Sequence, residues 1–261
     1  MRIATWNVNS VRVRSSQLAQ FAKKYQPDVI ALQETKANDY AFPNIECMAM
    51  GYQHIRLSGE SGYNGVAILS KYPLVDDFAL EFYNHDKRHI AVKIGDIEIH
   101  NFYVPAGGDE PDPEINHKFK HKLAYLDLMH EWFMTQRSSK QKVVLVGDLN
   151  VAPLEHDVWS SKQLQKVISH TDIERKMLMR NMQEFGFIDA PRLFVDEQEK
   201  LYSWWTYRTP DWQASNRGRR LDHIWVSEGL RAQVLATSFA VEMRSLTQPS
   251  DHIPVIIDIK L

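Results

Sequence analysis

Short apolar runs, rich in Val and Ile, recur from one end of the chain to the other and constrain the fold more than any other feature. Runs of this kind, bounded by Gly, Pro, Asn or Asp, predict β-strands at residues 2–8, 28–33, 65–70, 89–95, 97–104, 142–147, 220–227, 236–244 and 254–260. The run Val143-Val144-Leu145-Val146 is apolar without alternation, which is typical of a strand covered on both faces. We therefore expect sheets that are packed on both sides.

Apolar residues at helical spacing, with start or stop signals beside them, predict helices at residues 15–25, 116–136 and 173–185. Strands outnumber helices, and hairpin-like neighbours mix with crossover helices. The pattern predicts a layered α/β or α+β protein with large mixed sheets. No change of composition marks a linker, so we expect one domain over residues 1–261.

The charge balance and the cysteine count exclude several classes of protein. The chain has 31 Lys and Arg residues against 33 Asp and Glu residues, so it is not a globally basic coat protein, and any DNA contact needs a local positive patch. The single cysteine, Cys47, excludes an intrachain disulfide and sites that need several thiolates. With no apolar signal-peptide core and no membrane-length apolar stretch, we expect a cytoplasmic protein without a membrane partner.

Carboxylate and amide side chains stand at the ends of several predicted strands. A single acid after a strand is usually a turn former or a helix cap. Repetition of the pattern in one chain indicates instead that the groups converge on one cleft. These groups, with the histidine that follows the last acid, are Asn7, Glu34, Asp148, Asn150, Asp222, Asp251 and His252.

These groups suit metal-assisted hydrolysis of a phosphate ester. Oxygen ligands without thiolates favour Mg²⁺ or Mn²⁺, with Glu34 and Asp251 as candidate carboxylate ligands. The base that activates water is either His252, oriented by a buried Asp222, or Asp148. Three further groups are candidates for orienting phosphate or water or for assisting the leaving group: Asn7, Asn150 and Tyr103.

Six short motifs occur in order along the chain: Trp6-Asn7-Val8-Asn9, Leu32-Gln33-Glu34-Thr35-Lys36, Tyr103-Val104-Pro105, Gly147-Asp148-Leu149-Asn150, Arg220-Leu221-Asp222 and Ser250-Asp251-His252. In this ordered set the chain resembles the exonuclease III family of abasic-site endonucleases, part of the wider endonuclease/exonuclease/phosphatase superfamily. The resemblance extends over nearly the whole chain.

The resemblance implies an α/β fold, a four-layered α/β/β/α sandwich of two packed mixed sheets with the active site at one end. It implies Mg²⁺, or alternatively Mn²⁺, held by Glu34 with Asn7, Asn9 or Asp251 nearby. The resemblance also implies a catalytic group that consists of Tyr103, Asp148, Asn150, Asp222 and His252. It leaves open whether Asp148 or His252 deprotonates the water.

The implied activity is hydrolysis of the phosphodiester 5′ to an abasic site in double-stranded DNA, together with removal of nucleotides or blocking groups from 3′ ends. The resemblance places Trp204 and Leu221 beside the pocket for a base-less sugar, whereas Trp205 faces the opposite way and is expected in the core. Ala106 replaces an amide and Arg219 an aromatic of some relatives, which leaves the preference between internal sites and 3′ ends open. We expect a monomer.

Several basic residues are candidates for phosphate contacts, which give affinity without sequence preference. The run Arg217-Gly218-Arg219-Arg220 lies beside Asp222, and Arg88 and Lys36 lie on other loops. Three lysines of the second predicted helix are assigned to its solvated face instead: Lys118, Lys120 and Lys122.

Two other functions are compatible with the sequence. The first is another phosphodiesterase of the superfamily, acting on RNA or on a phosphorylated lipid or inositol, and it shares the same core chemistry. The second is a non-catalytic nucleic-acid-binding relative, which the presence of every acid and of His252 disfavours. The tryptophan-rich stretch 202–208 and the arginine run favour DNA as the substrate.

Overall fold

The strands form two mixed sheets. A computed structural model describes residues 1–80, 82, 85–209 and 211–261. Within them the strands are β1 (Arg2–Asn7), β2 (Val29–Gln33), β3 (His54–Ser58), β4 (Val66–Ser70), β5 (Val75–Phe78), β6 (His89–Ile94), β7 (Ile97–Tyr103), β8 (Val143–Asp148), β9 (Phe187–Asp189), β10 (Asp222–Ser227), β11 (Val234–Phe239) and β12 (Val255–Ile259). One sheet has the order β11-β12-β1-β2-β4-β3, and the other has the order β5-β6-β7-β8-β10-β9.

The helices lie on the outer faces of the sheets or in connections. They are α1 (Ser15–Tyr25), α2 (Asn44–Ala49), α3 (His117–Gln136), α4 (Ser161–Leu164), α5 (Asp172–Phe185) and α6 (Trp212–Ser215). The parallel pairs β1/β2 and β7/β8 are joined through α1 and α3 respectively. Among the described residues, no helix combines the length and the apolar character needed to cross a bilayer.

Alternation along the strands divides the apolar side chains between three layers of core. In β8, Val144 and Val146 point into the space between the sheets, while Val143 and Leu145 point toward α3 and α5. On the other side, α1 packs Leu18 and its apolar neighbours on the outer face of the first sheet. This arrangement confirms the predicted four-layered sandwich and explains why the β8 run is apolar without alternation.

Several element boundaries differ from the predictions. Strands β3, β5 and β9 were not predicted, because β3 is only partly buried, β5 is largely exposed and β9 has three residues. The predicted strand 236–244 ends at Phe239, and a 3₁₀ turn follows over Val241–Ser245. The predicted helix ends hold: Asn116 caps α3 by accepting from two backbone amides, and Gly186 ends α5 with a left-handed φ of 84°.

The prediction that Lys122 faces solvent is wrong. Lys118 and Lys120 are exposed, but Lys122 is buried between helices and its ammonium lies 2.5 Å from a carboxylate oxygen of Glu174. The position explains the burial, because Lys122 is three residues after Phe119 and four before Leu126, both of which are buried on the inner side of α3. A charged side chain on the apolar stripe is therefore held by an ion pair inside the protein.

The backbone at Gly147 leaves no room for a side chain. Gly147 has φ of +143°, and a Cβ atom there would lie 1.9 Å from the carbonyl oxygen of Phe102 on the neighbouring parallel strand. Because that atom belongs to a sheet backbone, it cannot move aside cheaply. Glycine is thus required directly before Asp148.

We predict that Gly147→Ala lowers the free energy of unfolding by about 3 kcal/mol through strain and overpacking. At this chain length that corresponds to a melting temperature lower by roughly 6–12 °C. Gly95→Ala is the matched control, because Gly95 also has a positive φ, +59°, but its added Cβ meets nothing within 4 Å. Calorimetry that finds equal losses for the two variants would contradict the backbone clash.

Candidate active site

One sheet contributes a row of three polar side chains at adjoining strand ends. Tyr103 at the end of β7 is in register with Asp148 at the end of β8, and Asp148 is in register with Asp222 at the start of β10. Tyr103, Val146 and Ile224 belong to the core between the sheets, so alternation puts Asp148 and Asp222 on the same inner face. The row therefore points toward the other sheet.

The other sheet supplies Asn7, Glu34, Asp251 and His252 from the corresponding end. Asn7 ends β1, Glu34 follows β2 with a left-handed φ of 49°, and the last two residues precede β12. The Asn7 side-chain amide donates to Glu34 Oε1 and to Asp148 Oδ2, each at 2.9 Å. One amide thus joins carboxylates from both sheets, and the predicted groups converge.

The imidazole of His252 lies between two carboxylates. Its Nδ1 is 2.8 Å from Asp222 Oδ2, and its Nε2 is 3.7 Å from Asp148 Oδ2. Sequence reasoning missed Ser203, whose hydroxyl donates to Asp222 Oδ2 at 2.6 Å and accepts from the Asp222 amide at 3.0 Å. Ser203 lies 19 residues from Asp222, so no short sequence motif indicates this contact. Together these contacts set the orientation of the His252 ring.

The protonation of this cluster follows from burial and mutual charge. Burial alone would lower the pKa of His252, but the carboxylates of Asp222 and Asp148 raise it to about 10. Burial raises the pKa of Asp148, His252 opposes that rise, and Asp222 adds to it. At neutral pH the imidazole is therefore protonated, and Asp148 holds a proton more readily than an ordinary aspartate.

Tyr103 and Asn150 complete the wall around Asp148. Burial raises the pKa of the Tyr103 phenol, and Glu34 and Asp148 raise it further, so this hydroxyl stays protonated and can donate. The Asn150 backbone amide donates to Asp148 Oδ1 at 2.9 Å, and its side-chain amide donates to Val104 O at 2.9 Å. Asn150 also has a left-handed φ of 52°, which turns the chain immediately after the strand.

Oxygen ligands beside Glu34 form a set that fits a hard divalent cation. The Asn9 amide donates to Asp251 Oδ1 at 3.3 Å, and Lys36 Nζ contacts Asn9 Oδ1 at 2.6 Å and Glu34 Oε2 at 3.0 Å. Burial would raise the pKa of Glu34, but the Asn7 amide and Lys36 hold it below its usual range, so the carboxylate is charged. Carboxylate and amide oxygens without sulfur are what Mg²⁺ or Mn²⁺ requires.

A second group of ligand atoms also lies close enough to hold a metal. Ligand atoms of Asp148, Asp222 and His252 lie within 4.8 Å of one another. Since Nδ1 of His252 is bonded to Asp222 and the ring is protonated at neutral pH, this group would hold a metal only after the imidazole loses its proton. The two groups share one cleft.

The cleft has a volume of about 610 Å³, and Glu34, Asp148 and His252 all line it. Trp204 and Leu221 also line it, and Trp204 Nε1 donates to Asp251 Oδ2 at 2.9 Å. Trp205 is 5% exposed and packs with other aromatic rings. The two tryptophans therefore have the opposite orientations that strand alternation predicts.

The basic residues predicted to contact phosphate divide into a group at the cleft and a group that is buried away from it. Arg217 is exposed over the Trp159 ring, and Arg219 lies over Trp204 while one nitrogen donates to Ile168 O and Ser169 Oγ. Both arginines line the cleft, and Lys36 lies beside Glu34.

The structure corrects the placement of Arg88 and Arg220. Arg88 is 4% exposed, pairs with Asp86 and lies over the Tyr103 ring, so it supports Tyr103 from behind instead of facing a phosphate. Arg220 is fully buried in ion pairs with Asp157 and Asp189. Neither guanidinium is available to a ligand in the cleft.

We predict that the stability contribution of His252 depends on pH in the metal-free protein. A histidine whose pKa is raised on folding stabilises the fold below its ordinary pKa, about 6.5, and the contribution disappears as pH rises toward the folded value. The melting temperature of His252→Gln in EDTA should therefore lie furthest below wild type near pH 6 and approach it toward pH 10. The control is His117→Gln, because His117 is an exposed imidazole outside this cluster of buried charges. A His252→Gln offset that grows with pH would contradict the assignment of charge.

Comparisons with known proteins identify the family of the chain. The model of the endonuclease/exonuclease/phosphatase family matches residues 4–252. Exodeoxyribonuclease III of Haemophilus influenzae is 28% identical, with 100% of both chains covered. Among solved structures, an AP endonuclease from Archaeoglobus fulgidus has a TM-score of 0.93 at 30% identity, and a 3′-5′ exonuclease from Neisseria meningitidis has 0.90 at 32%, each with 100% of both chains covered. The chain therefore belongs to the endonuclease/exonuclease/phosphatase family, and its similarity to exonuclease III and to AP endonucleases confirms the resemblance identified from its motifs.

Proposed function

We propose that the protein is a Mg²⁺-dependent DNA repair hydrolase that cleaves the phosphodiester 5′ to an abasic site and removes nucleotides or phosphate from 3′ ends. The observation that carries the proposal is the contact between the sheets, in which Asn7 joins Glu34 to Asp148 while His252 lies between Asp148 and Asp222. Metal-type ligands and a proton-transfer group thereby share one cleft. The relatives, whose names include exodeoxyribonuclease, AP endonuclease and 3′ phosphatase, support the substrate class.

In this proposal Asp148 accepts the proton of the attacking water. The raised pKa of His252 makes it a proton holder at neutral pH, and an imidazolium stabilises negative charge on phosphate better than it accepts a proton. Asp148, with its pKa raised toward the working range, suits the role of base. Of the two candidates from the sequence, the charge distribution therefore favours Asp148.

The remaining groups position and stabilise the reacting phosphate. Asn7 and Asn150 hold Asp148 in place through their bonds to its oxygens, and neutral Tyr103 donates to a phosphate oxygen or to the departing O3′. A Mg²⁺ ion held by Glu34, with Asp251 and Asn9 beside it, would supply Lewis-acid stabilisation of the phosphate charge. The products are a 3′-hydroxyl on one side of the cut and a 5′-phosphate on the other.

Damage recognition is assigned to the part of the cleft lined by Trp204 and Leu221. A nucleotide without a base loses little stacking when it leaves the helix, so a small pocket selects it by the low cost of extrusion. Arg217, Arg219 and Lys36 are proposed to contact the DNA backbone. One domain, a monomeric state and a cytoplasmic location remain predictions from the sequence.

A substrate panel tests the function. With Mg²⁺ present, we expect cleavage of an abasic duplex, a recessed 3′ end and a 3′-phosphate, and little cleavage of intact closed duplex. A phosphorylated inositol and single-stranded RNA should be poor substrates. Higher kcat/KM on either of those two than on every DNA substrate would reverse the assignment, and equal rates on intact and abasic duplex would exclude extrusion as the basis of recognition.

Two variants test the division of roles within the cleft. Glu34→Gln should increase the Mg²⁺ concentration needed for half-maximal rate and keep activity at saturating metal, because it weakens a ligand. His252→Ala should lower kcat by a factor of about 100 or more at any Mg²⁺ concentration, because it removes a charged group at the phosphate. The measurement is kcat against Mg²⁺ concentration. An unchanged kcat in His252→Ala would remove that residue from the mechanism.

A further inference from the structure

Lys122 lies behind the cleft with all its donors engaged. Its side chain is 0% exposed, and Nζ contacts Glu174 Oε1 at 2.5 Å, Asn150 O at 2.7 Å and Ala106 O at 3.2 Å. An ammonium has three hydrogens, and these three acceptors account for them. The lysine stem also packs under the loop after Tyr103, since a Cβ at Gly107 would lie 3.0 Å from Lys122 Cδ.

Two of the three acceptors belong to loops that line the cleft. The Asn150 carbonyl accepts from Lys122, while the Asn150 side-chain amide donates to Val104 O and Asp148 Oδ2. Ala106 also lines the cleft, three residues after Tyr103. Asn150 has a left-handed φ, which asparagine adopts more readily than most other residues, and the charged donor fixes the carbonyl of the same residue.

The partner carboxylate holds a second segment that lines the cleft. Glu174 is fully buried and accepts from the backbone amide of Ser169 at 2.9 Å and from the Thr171 hydroxyl at 2.6 Å. Ser169 in turn accepts from Arg219. The ion pair therefore connects the Asn150 wall to the wall that carries Arg219, through side chains that do not reach the cleft.

Stability alone does not account for such a pair. Removal of two charges from water costs several kcal/mol per ion, and well-packed apolar replacements of buried pairs are often neutral or stabilising. We propose that Lys122 and Glu174 are positioning residues, which hold the Asn150 peptide and the Ser169–Arg219 wall in the geometry needed for phosphodiester cleavage. This inference rests on the proposed function.

The test is the double variant Lys122→Met/Glu174→Gln, which removes both charges and leaves no buried ion without its partner. Its matched control is Arg137→Met/Glu98→Gln, which removes another ion pair, 2.6 Å long, that connects the C-terminal end of α3 to the end of β7 remote from Tyr103. We expect the first double variant to lower kcat on abasic duplex by about tenfold or more with KM within about twofold, because positioning acts on the reacting state. The control should keep both constants.

A second measurement is independent of activity. In ¹⁵N-labelled protein the side-chain amide resonances of Asn150, assigned by their loss in Asn150→Ala, should shift in the Lys122 double variant and stay in the control. A folded double variant with unchanged kcat overturns the proposal whether or not the resonances move, and unchanged resonances overturn it whatever the rate. If wild type cleaves no DNA substrate, the proposed function fails, and the resonances alone still decide whether the pair positions Asn150.

Discussion

Four carboxylates, those of Glu34, Asp148, Asp222 and Asp251, lie at one end of the two sheets, and their mutual repulsion is the constraint that the rest of the site accommodates. Asp148 and Asp222 are each 1% exposed, so solvent does little to screen them. The positive charge of the His252 imidazolium lies between these two carboxylates and offsets their repulsion, and the Lys36 ammonium does the same beside Glu34. A divalent cation would reduce the repulsion further, because it would add positive charge beside the carboxylates.

The register between the two sheets is set by polar contacts at the same end. Near the row of Tyr103, Asp148 and Asp222, the Gln33 side-chain amide donates to Asn101 Oδ1 at 2.6 Å and to Thr5 Oγ1 at 2.9 Å. The Asn101 side-chain amide in turn donates to Leu32 O and Ala67 O. An apolar interlayer alone would tolerate sliding of one sheet over the other, whereas these amide donors reach their acceptors in one register only. The Gln33 side-chain oxygen has no hydrogen-bond partner among the described residues. The Asn7 bridge to Glu34 and Asp148 depends on that register being kept.

Residue patterns predict the site well where strand geometry alone decides, and less well where a distant partner decides. Asp148 and Asp222 could be predicted to converge because both belong to a pattern of acids and amides that recurs beside the strands of this chain. Lys122 was assigned to solvent because its charge was given more weight than its place on the apolar stripe, and no periodicity indicates that Glu174 receives it. The burial of Arg220 likewise depends on Asp157, 63 residues away. Periodicity tells which face a side chain occupies, but a buried charge needs a partner that only the tertiary fold identifies.

The chemistry and the choice of substrate reside in different parts of the molecule. The side chains that we propose for proton transfer and metal binding stand at strand ends, which two packed sheets hold rigidly. The pocket walls come from loops, including the segment of Ile168 and Ser169 and the strand-like pair Trp204 and Arg219. Loops can change without disturbing the sheets, so we expect substitutions in these walls to alter the choice between an internal abasic site, a terminal nucleotide and a terminal phosphate. In this chain the bonds of Arg219 to the Ile168–Ser169 segment connect two of these walls, so we expect these bonds to fix the width of the pocket between them.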